Sequence, residues 1–288
     1  GICMKWQGRR KSSNVEDRRG QRSSAGGRGG MPMVPIGGGL GLIIMVILFL
    51  LQGGLGGGSP QQQQPQQNLP TSAQEEEMKE YVSVVLADTE DVWHDLFAEQ
   101  GYQYSEPTLV LFTDSVQSAC GVSGSSTGPF YCPGDQKLYI DLAFFNELAT
   151  KYGADGEFAM AYVVAHEVGH HVQTLLGLTD QVFGLRNQMS EAEFNQYLVR
   201  FELQADYFAG VWAHHIGQKG YLEAGDIEEA LEAAYQIGDD TLQKRAQGYV
   251  VPDSFTHGTS EQRSGWFKKG YEYGTIADGD TFNMEDPR

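Results

Sequence analysis

His166-Glu167-Val168-Gly169-His170 sets two imidazoles four residues apart, with a carboxylate directly after the first. On an α-helix, positions four apart point the same way to within about 40°, so His166 and His170 can bind one ion together. Glu167 lies one step round, about 100° away, where its carboxylate reaches a water on that ion without ligating the ion itself. Two neutral imidazoles holding zinc, and a carboxylate taking the proton from a zinc-bound water, is the division of labour that metal-assisted hydrolysis needs. One catalytic Zn2+ is the cofactor this pattern predicts.

Two histidines leave zinc one protein ligand short. The best source is Glu202-Leu203-Gln204-Ala205-Asp206, in which Glu202 and Asp206 again share a helix face. Glu202 is assigned as third ligand, and Asp206 as acceptor of the non-ligating N–H of a zinc-bound histidine. On spacing alone the reverse assignment, with Asp206 on the metal, stays open. His257 and Arg263 lie on either side of a helix start, where each has the chemistry to stabilise an oxyanion; the rival reading is a capping turn with a surface arginine. His171 is turned about 140° from His166 and is expected to pack or face solvent. His214 and His215, in the last turn of their helix, read as structural.

Elements must hold these residues. Apolar periodicity predicts helices over 75–99 and 157–176, the latter ended by Gly177. Capping boxes at Ser72/Glu75, Ser190/Glu193 and Thr259/Gln262 predict helix starts, and Asp226 with Glu229 marks another; the helix after Ser190 should run to about Ile216. Strands are predicted at 108–114, 130–132 and 137–141, the last two as a hairpin about Pro133-Gly134-Asp135-Gln136. The fold class is therefore α+β, mostly helical with a small sheet.

Charge is segregated along the chain. Residues 1–30 hold eight Lys/Arg against two acids, while the whole chain carries −18, so residues 31–288 carry a net −24. No charged side chain occurs between Arg28 and Glu75, and residues 31–51 end in a dense apolar run from Leu40 to Leu51. That length and composition predict one transmembrane helix. Lys/Arg-rich flanks stay inside, which predicts a cytoplasmic arm at 1–30, a Gly/Gln/Pro-rich linker at 52–71 and an extracytoplasmic domain at 72–288. The localisation read from this is a single pass through the bacterial inner (cell) membrane. The acidic bulk excludes nucleic acid as a partner. Cys120 and Cys132, in the exported part, are predicted to form a disulfide.

With these residues in place, the chain resembles the bacterial family of neutral zinc metallopeptidases. The resemblance rests on Met4-Lys5-Trp6-Gln7-Gly8-Arg9-Arg10, Ser13 to Gly20, Ser118-Ala119-Cys120-Gly121, Pro129-Phe130-Tyr131-Cys132-Pro133, the HExxH helix and Phe201-Glu202-Leu203-Gln204-Ala205-Asp206. The paired motifs are similar to the gluzincin branch of the zincins, which implies a zincin-like catalytic domain, Glu202 as third ligand and Asp206 behind a ligating histidine. A similarity to membrane peptidases lends His257 and Arg263 a role in the transition state. In zincins the substrate lies antiparallel to an edge strand, which here implies the hairpin at 130–141. The activity expected is a membrane-anchored metallopeptidase acting on peptides or proteins. The rival functions are a zinc-stabilised, non-catalytic scaffold for envelope partners and a zinc amidase acting on cell-wall material.

Overall fold

The computed structural model describes residues 4–20, 72–124, 127–154 and 156–283. The predicted membrane helix and linker lie outside them, and no described helix is long and apolar enough to cross a membrane. The chain enters the fold through its amino-terminal arm, which ends in strand β1 (Val15–Asp17). Helix α1 (Ser72–Glu99) follows. One face of α1 carries Tyr81, Val82, Val85 and Trp93 into the core. Its polar residues Asp88 and Glu90 are buried as well, because the arm lies over them.

Next come β2 (Thr108–Leu111), a hairpin of β3 (Ser115–Ser118) and β4 (Gly121–Gly124), then β5 (Phe130–Cys132) and β6 (Lys137–Ile140). The main sheet has the order β1-β2-β6-β5; β1, β2 and β6 run parallel and β5 runs antiparallel to β6. Central β2 is apolar on both faces, with Leu109, Val110 and Leu111 fully buried, as a strand covered on both sides requires. The strand predicted to 114 stops at Leu111, and Asp114 takes a left-handed φ of 65° soon after. Cys120 and Cys132 form the predicted disulfide, Cα atoms 5.9 Å apart, which ties the β3–β4 hairpin to β5. Closing so short a loop contributes about 2–3 kcal/mol.

The helical half comprises α2 (Ala143–Thr150), α3 (Glu157–Leu175), α4 (Leu178–Phe183), α5 (Glu191–Gln218), α6 (Asp226–Gln236), α7 (Asp239–Gln247) and α8 (Ser260–Tyr273). Both capping boxes within the described side chains form, at Ser190/Glu193 and Thr259/Gln262. The start of α6 differs from expectation: its N-cap is Gly225 at φ 93°, and Glu229 accepts instead from Phe158 N–H, in the first turn of α3. Helix α5 also runs through Gly217 to Gln218. Short α2, α4 and α7 and the β3–β4 hairpin were not predicted, being too brief for periodicity to register.

Helices α3 and α5 cross at Gly169. A Cβ there would stand 2.9 Å from Ala205 O and 3.2 Å from Ala205 Cα, so glycine inside HExxH and alanine inside the Glu202–Asp206 block let the two backbones meet.

The largest departure from expectation is the arm. β1 pairs with β2, Met4 is 1% exposed in the main core, and Arg9 forms a two-point ion pair with Asp88 at 2.6 and 2.9 Å. The folded unit therefore includes residues 4–20 and does not begin at 72.

Candidate metal centre

His166 and His170 leave one face of α3, Glu202 leaves α5 opposite, and the three converge. Glu202 Oε2 lies 3.0 Å from His166 Nε2 and 3.2 Å from His170 Nε2, with all three side chains buried.

The protons on the far sides of the rings decide what this means. Asp206 Oδ1 sits 2.8 Å from His166 Nδ1; a carboxylate only accepts, so Nδ1 carries the hydrogen. For His170 the hydrogen is placed by a chain of amides. Gln204 Nε2 donates to Gly279 O at 2.9 Å, leaving Gln204 Oε1 to accept from Gln173 Nε2 at 2.9 Å. The second hydrogen on Gln173 Nε2 goes to Phe201 O at 2.7 Å, so Gln173 Oε1, 2.8 Å from His170 Nδ1, takes that ring's hydrogen. With the hydrogen on Nδ1, a neutral ring in either position turns its Nε2 lone pair toward the Glu202 carboxylate. This buried space therefore calls for positive charge, as a bound cation or, without one, as a proton on a ring nitrogen.

Zinc fits that demand. Ligand atoms about 2.1 Å from a tetrahedral ion are about 3.4 Å apart, and opening the two contacts by a few tenths of an ångström accommodates it. The electrostatics carry the same demand. Burial alone would lower the His166 pKa, but the charges of Asp206 and Glu202, with hydrogen bonds to both, hold it up at about 10. Burial would raise Glu202, yet His170, His257 and His166 pull it well below the carboxylate range.

Asp206 is outside the converging set. Its Oδ1 takes His166 Nδ1–H and the Tyr162 hydroxyl, and its Oδ2 takes Arg263 Nε–H at 2.8 Å. Burial pushes its pKa up, but Arg263 and His166 hold it at about 2. Arg263 lines the same cleft, but its guanidinium also donates to Tyr162 Oη and Ile237 O. The arginine thus holds Asp206 in place while lining the cleft.

Glu167 is 6% exposed, lines the cleft beside the converging atoms, and has its pKa raised by burial. His257 enters the cleft from the loop before α8, with Nδ1 2.9 Å from Thr256 Oγ1, so Nε2 is its available nitrogen. Asp239, at the start of α7, holds this loop: its Oδ2 accepts the backbone N–H groups of Thr256, His257 and Gly258 at 2.9, 2.7 and 2.9 Å. One rim of the cleft is formed by residues 128–131, which include sheet-edge strand β5, and a second wall is apolar: Phe144, Tyr152, Val163, Ile237 and Leu242.

Sequence reasoning missed Tyr162, Gln173 and Asp239. Gln173 had a local signal, three residues after His170 on one helix face; Tyr162 and Asp239 act across the fold and had none. His171 faces no solvent: it is fully buried, with Nε2 donating to Ser105 O and Nδ1 meeting Tyr131 Oη. His214 and His215 bond to the carbonyls of Tyr271 and Gly274, in keeping with a structural role.

Comparison with known proteins agrees with this geometry. The uncharacterized protein YpfJ of Escherichia coli (strain K12) is 50% identical over 285 residues, covering 97% of this chain and 99% of that one. The uncharacterized protein Rv2575 of Mycobacterium tuberculosis (strain ATCC 25618 / H37Rv) is 43% identical over 194 residues, 64% of each chain. No solved structure matches the chain. The model of the family described as "Putative neutral zinc metallopeptidase" matches residues 4–282, a span that takes in the arm as well as the metal centre, and the chain belongs to that family.

Proposed function

We propose that this protein is a zinc-dependent peptidase of zincin-like architecture, with His166, His170 and Glu202 as ligands and Glu167 as base. The observation that carries the proposal is the convergence of three buried acceptors beside a fourth carboxylate, in a cleft that has a sheet edge for one rim. Zinc bound there supplies a Lewis acid that polarises the scissile carbonyl and makes an adjacent water more acidic. Glu167, beside the converging ligand atoms, takes the proton of the attacking water and delivers it to the departing amine. His257 Nε2 donates to the oxyanion, and Asp239 fixes the loop that carries it.

An extended peptide lies along the rim formed by residues 128–131, beside strand β5. The apolar wall opposite takes a bulky uncharged side chain next to the scissile bond, since a charged one would lose its solvation with no partner there. That wall favours peptides over the polar amides of cell-wall material.

The test is cleavage of a mixed peptide library by the detergent-solubilised, zinc-loaded full chain. Cuts should cluster beside bulky apolar residues and vanish in Glu167→Gln, which keeps its zinc. Zinc-loaded protein that cleaves no peptide would leave the scaffold reading, and cleavage of cell-wall fragments alone would leave the amidase reading.

A further inference from the structure

The arm is basic because the surface beneath it is acidic. Lys11 pairs with Glu80 at 3.2 Å, Arg10 with Asp91 at 3.0 Å, Arg19 with Glu76 at 2.6 Å, and Lys5 approaches Glu223 at 4.0 Å. Exposed pairs of this kind contribute little each. Arg9 differs in its partner: the acid it grips at two points, Asp88, is only 7% exposed, and the guanidinium lies 3.8 Å over the Tyr221 ring. Asn14 adds a hydrogen bond to Glu90 at 2.8 Å, and Trp6 meets Tyr81 edge-on at 5.5 Å. The backbone joins in as well, with Leu109 N–H donating to Asn14 O and Arg18 N–H to Leu111 O, both at 2.8 Å.

These contacts remove the ground for placing the arm by its charge. Lys/Arg next to an apolar run orient a protein when they are free to be held on the cytoplasmic side. Of the eight in residues 1–30, Lys5, Arg9, Arg10, Lys11 and Arg19 have acids of residues 76–223 as partners. A helix crossing the roughly 30 Å hydrocarbon layer once delivers its two ends to opposite sides. Residues 52–71, rich in Gly, Gln and Pro, hold no second apolar run to bring the chain back.

We propose that residues 4–20 and the domain from residue 72 onward share one compartment. The Cys120–Cys132 disulfide, tying β5 to its neighbouring hairpin, puts that compartment on the oxidising side. The shared compartment holds equally if an arm docks on a second copy's domain, since that contact too needs both partners on one side. The inference is independent of the catalytic reading.

Single cysteines at exposed positions of a Cys3→Ser full-length chain test it: Ser13→Cys on the arm and Gln100→Cys after α1. Spheroplasts of a bacterial host are treated with a membrane-impermeant maleimide before and after lysis. Both positions should label before lysis. Labelling of one position and not the other before lysis overturns the proposal. Labelling of both only after lysis upholds the shared compartment and overturns its placement on the oxidising side. Neither substitution touches the arm contacts or the metal centre, so a denaturant unfolding midpoint equal to the parent's serves as the check that each variant is folded.

Discussion

Two sets of buried charge hold this molecule together in opposite ways. At the metal centre, Glu202 faces two imidazole lone pairs, and the set is complete only when a cation comes from outside the chain. At the arm, Asp88 is matched by Arg9, so both charges come from within the chain. One region is closed by an ion and the other by residues more than 70 positions away in sequence. Removing the ion and removing the arm should therefore leave different marks.

The largest effect separates them outright. Glu202→Ala takes away the only anionic ligand of the converging set and should abolish both zinc retention after dialysis and peptide cleavage, while the arm stays docked. Asp206→Ala should weaken zinc binding less. If zinc is lost with Asp206→Ala and kept with Glu202→Ala, the assignment of the two carboxylates is reversed.

Arg9→Ala probes the other side of the comparison. It leaves Asp88, whose pKa burial already raises against the pull of Arg9, without its cation. Breaking a buried pair from one side costs about 3–5 kcal/mol, and the lower end applies where the arm lifts and admits water. Denaturant unfolding of the full chain should register that loss in the zinc-free protein too, and Arg9→Ala with Asp88→Ala should recover part of it. A loss below about 1 kcal/mol would make the arm a surface strap.

The contrast between the two regions also accounts for what was legible in the sequence. His166, Glu167 and His170 are placed by one helix, whose period fixes their directions, and Glu202 and Asp206 by another; local geometry sufficed for these. What the sequence left open, which of the two carboxylates ligates, depends on how α3 meets α5 at Gly169 and Ala205. The place of the arm in the fold was hidden for the same reason turned round. Its charges look free until the acidic face of α1 is seen opposite, and β1, three residues long, has no periodicity to announce it. Local patterns placed most of the elements, and pairings across the fold, such as Glu229 with Phe158 N–H, were not visible in them.

A third probe concerns a histidine of the motif helix that faces away from the metal. Burial lowers the His171 pKa to about 4 from 6.5, against the opposing pull of its hydrogen bond to Ser105 O. Below pH 6.5 the unfolded chain binds a proton that the folded one refuses, so stability falls as pH drops from 6.5 toward 4, by up to about 3 kcal/mol. Above 6.5 the contribution is constant. In zinc-free protein, His171→Gln should flatten that part of the stability profile relative to the parent. An unchanged slope would mean His171 is not held neutral.

The smallest expected effect sharpens the comparison most, because it asks how far the metal centre, too, depends on partners across the fold. Gln173 gives its amide hydrogens to Phe201 O and Gln204 Oε1, and so must turn its oxygen to His170. Gln173→Ala deletes that acceptor and leaves His170 free to rotate or change tautomer, though its Nε2 remains in place. Loss of such an orienting partner costs metal affinity about 10- to 100-fold, well short of losing a ligand. Gln173→Glu keeps an acceptor at that position and should bind zinc more tightly than Gln173→Ala, even though it disturbs the link to Gln204. Competition with a chelator of known affinity reads the difference. If Gln173→Ala binds zinc as tightly as the parent, the hydrogen-bond chain running back to Gly279 does not set the tautomer of His170, and that ligand would stand on the geometry of α3 alone.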